Sequence, residues 1–287
     1  MKKVVIIGHG PAGISAAIYL KRSGIDPIVI GKDYGSFTYD EIHIENYYGF
    51  TEPISGKDLV DQGIGQAKRL GIEIINDSVL DLKVNLDDTF EIVTLKQTLN
   101  AEVVLLATGK QRLTLNIPGF NKFRGKGISF CATCDGYFYR KKKLALIGCG
   151  PYMQQELKEL ENLTSDITIF TDGKELEQPT NYPVVTDKIT SFLGETKLTS
   201  IQTENNSYDT EGVFVAIGTP SSIDFAQKLG VIVDKNSLVV NESYQTNIDG
   251  LFAAGDVVGG KLQIAKAVYD GMMVADSIHH YLKNKKG

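Results

Sequence analysis

The chain of 287 residues has no apolar run near the ~20 residues needed to cross a bilayer, which excludes a membrane-spanning helix and predicts no membrane partner. It has no excess of basic charge. Its 30 Lys and Arg against 35 Asp and Glu leave a net charge of −5, so the surface as a whole is no nucleic-acid footprint. It has only three cysteines, and Met-Lys-Lys before a four-residue apolar run is too short for a signal peptide. Both features predict a cytoplasmic protein, in which disulfides are rarely structural. Its histidines, at 9, 43, 279 and 280, show no ligand spacing with the cysteines. Finally, no arginine follows Arg140, so the second half of the chain has no planar guanidinium to hold a phosphate in bidentate fashion.

What is present is a globular composition, 42% hydrophobic and 23% charged, with length for two domains. Two basic clusters, "KFRGK" at 122–126 and "RKKK" at 140–143, read as solvated surface or as docking for an acidic partner. The run "VVII" at 4–7 predicts a buried parallel strand. Gly8, Gly10 and Gly13 follow as G-x-G-x-x-G, and Ile14, Ala17 and Ile18 recur at helical spacing, with Gly24 as the expected C-cap. In such a motif the first glycine makes a tight turn, the second lets backbone approach a pyrophosphate, and the third lets helix pack on strand. The helix N-terminus supplies amides and a positive dipole end for phosphate. This predicts a dinucleotide site. The next strand, "PIVIGKD" at 27–33, should end in an acid for the ribose; Gly31 and Lys32 stand there, with Asp33 beyond.

"LALIGCGPYM" at 144–153 repeats the pattern with Gly148 and Gly150. Two such motifs are an internal repeat and predict an α/β fold of two Rossmann-like three-layer domains. The cysteines add chemistry. Cys131 and Cys134 form C-x-x-C in "CATCDG", with Asp135 next. A redox dithiol is favoured over half a zinc site, since zinc would need two further ligands. Asp135 is then the candidate acid that moves protons during exchange, or an Asp-Gly turn residue. Cys149, inside the second glycine motif, reads as a small buried residue.

Taken in order, the motifs resemble the low-molecular-weight thioredoxin reductases over nearly the full length. "GHGPAG" (8–13) is similar to the family's FAD motif, "EIHIENYYGF" (41–50) to its flavin-contacting segment, and "LLATGKQRLTLNIPG" (105–119) to its ATG loop. "CATCDG" (131–136) matches the family's active site letter for letter, and "GLFAAGDV" (250–257) resembles its C-terminal FAD motif. The resemblance implies an FAD-binding domain of residues 1–116 and 243–287. An inserted domain, 117–242, would carry the cysteines, with hinge connectors near 117 and 242. It implies flavin contacts from Gly8, Gly10, Pro11, Ala12 and Gly13, from Gly31, Lys32, Asn46 and Val79, and from Ala107, Thr108 and Gly109. It extends these to Gly255, Asp256 (at the ribityl chain), Lys261, Leu262, Gln263 and Ile264, with Gln263 capping the last helix. It also implies reduction of thioredoxin through Cys131, Cys134 and Asp135, and a homodimer.

The second glycine motif departs from the family. Met153 stands where a small residue should be, and Tyr152 is expected to add bulk beside the phosphate position. The segment after "ITIF" (167–170) lacks the histidine and paired arginines that would hold a 2′-phosphate; Lys174 is a poor substitute. Leu262 replaces the family's arginine before Gln263. Three readings follow: a lost nicotinamide site, an NADH site using Asp172, or a different cofactor such as a second flavin. The first is favoured and resembles the ferredoxin-dependent flavin thioredoxin reductases, with ferredoxin as donor. A flavin redox sensor without turnover is the non-enzymatic alternative.

Overall fold

The computed structural model describes residues 2–32, 43–109, 115–130, 132–218 and 220–285. The chain divides into two compact units: residues 1–111 with 221–287, and residues 112–220 inserted between them.

In the first unit, β1 (Lys2–Ile7) leads into α1 (Pro11–Arg22) and β2 (Pro27–Ile30). A short antiparallel pair, β3 (His43–Ile44) and β4 (Ile54–Ser55), precedes α2 (Gly56–Arg69), followed by β5 (Glu73–Ile75), β6 (Val79–Val84), β7 (Phe90–Thr94) and β8 (Thr98–Leu106). Among the described residues the sheet order is β5-β2-β1-β8-β7-β6. The strand β1 is central, parallel to β2 and β8, with Val4 opposite Pro27 and Val103. That position explains why Val4, Val5, Ile6 and Ile7 are all buried: a strand covered on both faces needs apolar residues at every position.

The inserted unit opens with α3 (Phe120–Phe123), β9 (Ile128–Ser129), α4 (Ala132–Asp135) and a 3₁₀ turn (Gly136–Tyr139). Then come β10 (Leu144–Ile147), α5 (Pro151–Glu161), β11 (Ile167–Phe170), β12 (Val184–Val185), β13 (Ile189–Gly194), β14 (Leu198–Thr203), β15 (Ser207–Asp209) and β16 (Gly212–Val215). Its parallel sheet runs β12-β11-β10-β16-β9, and β13-β14-β15 form a separate antiparallel sheet. The chain returns to the first unit as α6 (Ser222–Leu229), β17 (Val233–Asp234), β18 (Ser237–Leu238), β19 (Leu251–Ala253), a 3₁₀ turn (Gly255–Val258) and α7 (Ile264–Asn284). The strand β19 joins the first sheet beside β8, with Leu251 opposite Val104. No helix among the described residues is long and apolar enough to cross a membrane.

The repeat read from the glycines is a structural repeat. In the first unit the Gly8 amide donates to the Ile30 carbonyl at 2.8 Å and the Ala107 amide to Ile7 at 2.8 Å. In the second, Gly148 donates to Phe170 at 2.9 Å and Ala216 to Ile147 at 2.8 Å. In each, the strand before the glycines lies between its two parallel neighbours.

Three expectations are corrected. Residues 221–242 belong to the first unit rather than the insert, because Phe225, Ala226, Val231 and Leu238 are buried in its core with Val5, Phe90 and Leu251. Leu115 and Ile117 pack in the core of the insert, so its start lies slightly earlier than 117. The helix α1 ends at its C-cap Ser23, and Gly24 follows in the left-handed region at φ 79°.

Close backbone approach sets the helix packing of the first unit. A Cβ on Gly271 of α7 would lie 2.3 Å from the Ala12 carbonyl oxygen and 2.7 Å from the Ser15 Cβ, so α7 touches α1 backbone to backbone. The Ser15 hydroxyl adds a 2.7 Å bond to the Val268 carbonyl. Gly271→Ala is expected to push the two helices apart, at about 1–3 kcal/mol of overpacking, and to lower the melting temperature by roughly 5 °C. Calorimetry showing an unchanged midpoint would mean that α1 and α7 have slack.

Candidate functional site

The two glycine turns share a frame and differ in what faces them. In the first, an added Cβ on Gly8 would meet the Ala107 carbonyl oxygen at 2.3 Å, and one on Gly13 would meet the Gly8 carbonyl oxygen at 2.0 Å. Neither position admits a side chain. At Gly10, in contrast, nothing lies within 4 Å of an added Cβ. Gly10 is the extended N-cap of α1, Pro11 is its first residue, no side chain caps the helix, and its first turn holds no acid. Helix amides without intrahelical partners therefore face open space, the arrangement a pyrophosphate requires. A cavity of about 650 Å³ opens there, lined by Gly10, Pro11, Tyr47, Phe50 and Ile264 among others, which is ample for part of a dinucleotide. The first turn fits FAD.

Other expected flavin residues converge in this unit. The Asn46 side-chain amide donates to Gln263 Oε1 at 3.0 Å, across 217 positions of sequence. Gln263 is the N-cap residue of α7, and its side chain makes no capping bond there. Thr108 Oγ1 lies 2.8 Å from Ser222 Oγ and accepts the Ser222 amide at 3.0 Å, tying the Ala107-Thr108-Gly109 loop to α6. Gly255 and Asp256 open the 3₁₀ turn after β19. Asp270 accepts the Gly255 amide at 3.0 Å and the Tyr244 hydroxyl at 3.0 Å, and pairs with Lys266 at 2.6 Å. Lys266 Nζ also donates to the Gly255 and Gly259 carbonyls at 3.0 and 2.8 Å. Burial, then the bond to Asp270, hold the Tyr244 phenol above its ordinary pKa. Sequence reading did not find Ser222, Lys266, Asp270 or Tyr244; their only signal was an i,i+4 Lys–Asp spacing. Lys261 and Leu262 are exposed, and Val79, the first residue of β6, is buried in the core. Gly31 packs on the His9 ring, where an added Cβ would lie 2.7 Å from Cγ. An acid therefore has no room at 31 while His9 holds its place. Lys32 is exposed, and Asp33 lies outside the described residues.

The second turn has the same backbone. Gly150 is an extended N-cap, Pro151 follows, and no side chain caps α5. Yet an added Cβ on Gly150 would meet Glu177 Oε1 at 3.0 Å and Oε2 at 3.4 Å. A carboxylate thus stands over the place where the first turn is open. The segment carrying it is anchored by the Glu177 amide, which donates to the Cys149 carbonyl at 2.9 Å. Met153 fills the third position and is fully buried, with its Cβ 2.8 Å from where a Gly148 Cβ would be. It therefore keeps α5 from approaching its turn as closely as α1 does. Tyr152, expected beside the phosphate position, is instead buried in the core. Asp172, the candidate acid for NADH, has φ 53° and accepts the Ile189 amide at 2.8 Å. Cys149 is half-buried rather than buried.

The C-x-x-C segment belongs to the inserted unit. Cys131 lies outside the described residues, and Cys134 falls in α4. Asp135 ends that helix, and its Oδ2 accepts a 2.5 Å bond from Ser129 Oγ. Burial, then the charge of Asp135, raise the pKa of the nearby Tyr139 phenol. In the basic clusters, Arg124 lies 4.8 Å from the Phe130 ring centre and Lys142 5.4 Å from that of Tyr139, while Lys126, Lys141 and Lys143 are exposed.

Residues 2–271 match the family model described as pyridine nucleotide-disulphide oxidoreductase. A thioredoxin reductase of Rickettsia prowazekii (strain Madrid E) is 34% identical over 98% of each chain. Among solved structures, the atypical thioredoxin reductase TRi of Desulfovibrio vulgaris Hildenborough is 36% identical, with a TM-score of 0.89 over 99% of each chain. A ferredoxin-flavin thioredoxin reductase of Clostridium acetobutylicum is 30% identical, with a TM-score of 0.70 over 98% of each chain. The chain belongs to the pyridine nucleotide-disulphide oxidoreductase family, as a flavoprotein disulfide reductase whose cofactor is FAD.

Proposed function

We propose that this flavoprotein is a homodimeric cytoplasmic enzyme that reduces the disulfide of thioredoxin through Cys131 and Cys134, and takes its electrons from ferredoxin rather than from a nicotinamide. The observation that carries the donor is the contrast between the two turns: open at Gly10, covered by the Glu177 carboxylate at Gly150. A pyrophosphate at Gly150 would meet the Glu177 carboxylate, an exposed side chain of like charge that would have to swing aside. With no arginine after Arg140 and Asp172 committed to the Ile189 amide, neither NADPH nor NADH finds its usual recognition groups. The similarity to a ferredoxin-flavin thioredoxin reductase supports the same reading.

Bound FAD accepts electrons singly or in pairs, which makes a one-electron carrier an admissible donor. A plant-type ferredoxin near about −400 mV lies ~130 mV below thioredoxin at about −270 mV. For two electrons that drop is worth roughly 6 kcal/mol, so transfer is downhill. In the thiol half of the reaction, one cysteine thiolate attacks the thioredoxin disulfide. The thioredoxin S–S bond breaks as a new one forms to the enzyme, and the Asp135 carboxylate passes the proton of the second cysteine thiol to the displaced thioredoxin sulfur. The other cysteine then attacks the mixed disulfide. Thioredoxin leaves as a dithiol, and the Cys131–Cys134 disulfide closes, oxidised by two electrons. The short bond from Ser129 holds the Asp135 carboxylate at the end of α4.

Cys131→Ser or Cys134→Ser is expected to abolish thioredoxin reduction while the flavin stays bound, because the flavin turn lies in the other unit. Turnover by either variant would refute the pair. Asp135→Asn is expected to slow turnover by about 10²–10⁴-fold, and an unchanged rate would leave Asp135 a turn residue. Anaerobic stopped-flow mixing tests the donor. Reduced ferredoxin should bleach the flavin on the turnover timescale, more slowly at high salt if the clusters around Lys126 and Lys141 meet an acidic carrier. Bleaching by millimolar NADPH or NADH with none by ferredoxin would overturn the assignment.

A further inference from the structure

The helix α5 carries two buried polar side chains that the disulfide chemistry above does not use. Tyr152 is 1% exposed, and its hydroxyl donates to the Phe130 carbonyl at 3.3 Å. Glu156, one turn later on the same face, is also 1% exposed, and its Oε2 accepts the Ala132 amide at 2.8 Å. Phe130 and Ala132 are the residues immediately before and after Cys131. A buried carboxylate and a buried phenol are retained only where they are bonded, and both are spent on the two peptide groups that bracket one cysteine. A third tie, from Ser129 to Asp135, closes the same segment upon itself at 2.5 Å.

We propose that the first turns of α5 act as a clamp on the redox segment, with Tyr152 and Glu156 as positioning residues for Cys131. This rests on the reading of Cys131 and Cys134 as the redox pair. When the pair is oxidised, the disulfide itself restrains the segment. When it is reduced, that restraint is gone and the clamp remains. The clamp therefore lowers the entropy of the dithiol form, raises the effective concentration of one thiol toward the other, and favours ring closure. Closure is the step that releases thioredoxin from the mixed disulfide, so the clamp speeds product release as well as setting the poise.

The test uses the full-length holoprotein equilibrated anaerobically in glutathione buffers. There the disulfide is reduced to a dithiol as two glutathione molecules form one glutathione disulfide. Thiols are trapped by alkylation, and peptide mapping separates Cys149 from the pair. Tyr152→Phe removes one hydroxyl and keeps the ring. It is expected to shift the equilibrium toward the dithiol by roughly three- to ten-fold, the partial release of one residue's backbone freedom, and to speed hydrogen exchange at the Ala132 amide. The control is Ile169→Val, which trims the same buried cluster, removes neither bond of the clamp and should cost similar stability. It should leave the equilibrium at the wild-type value. A Tyr152→Phe equilibrium equal to wild type, or an equal shift in both variants, would show that Tyr152 serves stability alone and overturn the clamp. Wild-type cysteines that do not titrate as one two-electron couple would instead sink the redox pair, and the clamp with it.

Discussion

The whole architecture depends on how closely backbone can approach backbone around the first glycine turn. Gly8 presses on the Ala107 carbonyl, Gly13 on that of Gly8, and Gly271 on that of Ala12. Gly255 completes the set, since its added Cβ would lie 2.8 Å from that of Ala12. Side chains are excluded at each point, so α1 is held between the sheet, α7 and the turn that carries Asp256. The result is a helix N-terminus fixed in place with its amides uncovered. Neither the apolar core nor the peripheral strands require that geometry; a bound pyrophosphate does.

The inserted unit repeats the strand, the turn and the flanking pairings, and departs only where side chains decide. Gly8 and Gly148 meet the same carbonyl at the same 2.3 Å separation, from Ala107 and Ala216 respectively. The difference lies at the third position and in the segment after β11. Met153 supplies a buried side chain where the first turn has none, and Glu177 brings a carboxylate over Gly150. One backbone frame thus presents an open anion site in one copy and a filled one in the other.

Residues whose role is local were legible in the sequence. The strand at 4–7 shows in its unbroken apolar run, and the turn at 8–13 in its glycines. What escaped depends on contacts between distant residues. Nothing in the neighbourhood of position 177 marks Glu177 as the group facing Gly150, because the loop between β11 and β12 decides where it lands. The orientation of Tyr152 is not legible for a similar reason: side chains one position apart on a helix point about 100° apart, and only the packed core shows which one faces in. Residues 221–242 do not declare their unit in sequence, because α6 has a clear capping box at Ser221 and Asp224 but no signal for which sheet it covers.

A helix that must receive a pyrophosphate carries two constraints: its N-terminus stays clear, and its first turn stays small enough to approach the strand. The helix α1 satisfies both. In α5 both are relaxed, and three of its first six residues, Tyr152, Met153 and Glu156, are buried in side-chain contacts instead. The same helix faces α4, which includes Cys134. On the proposed reading these facts have one cause. Once electrons reach the flavin without a nicotinamide bound in the insert, the first turns of α5 need no longer accommodate a ligand, and their side chains are left to hold the segment on which the thiol chemistry depends.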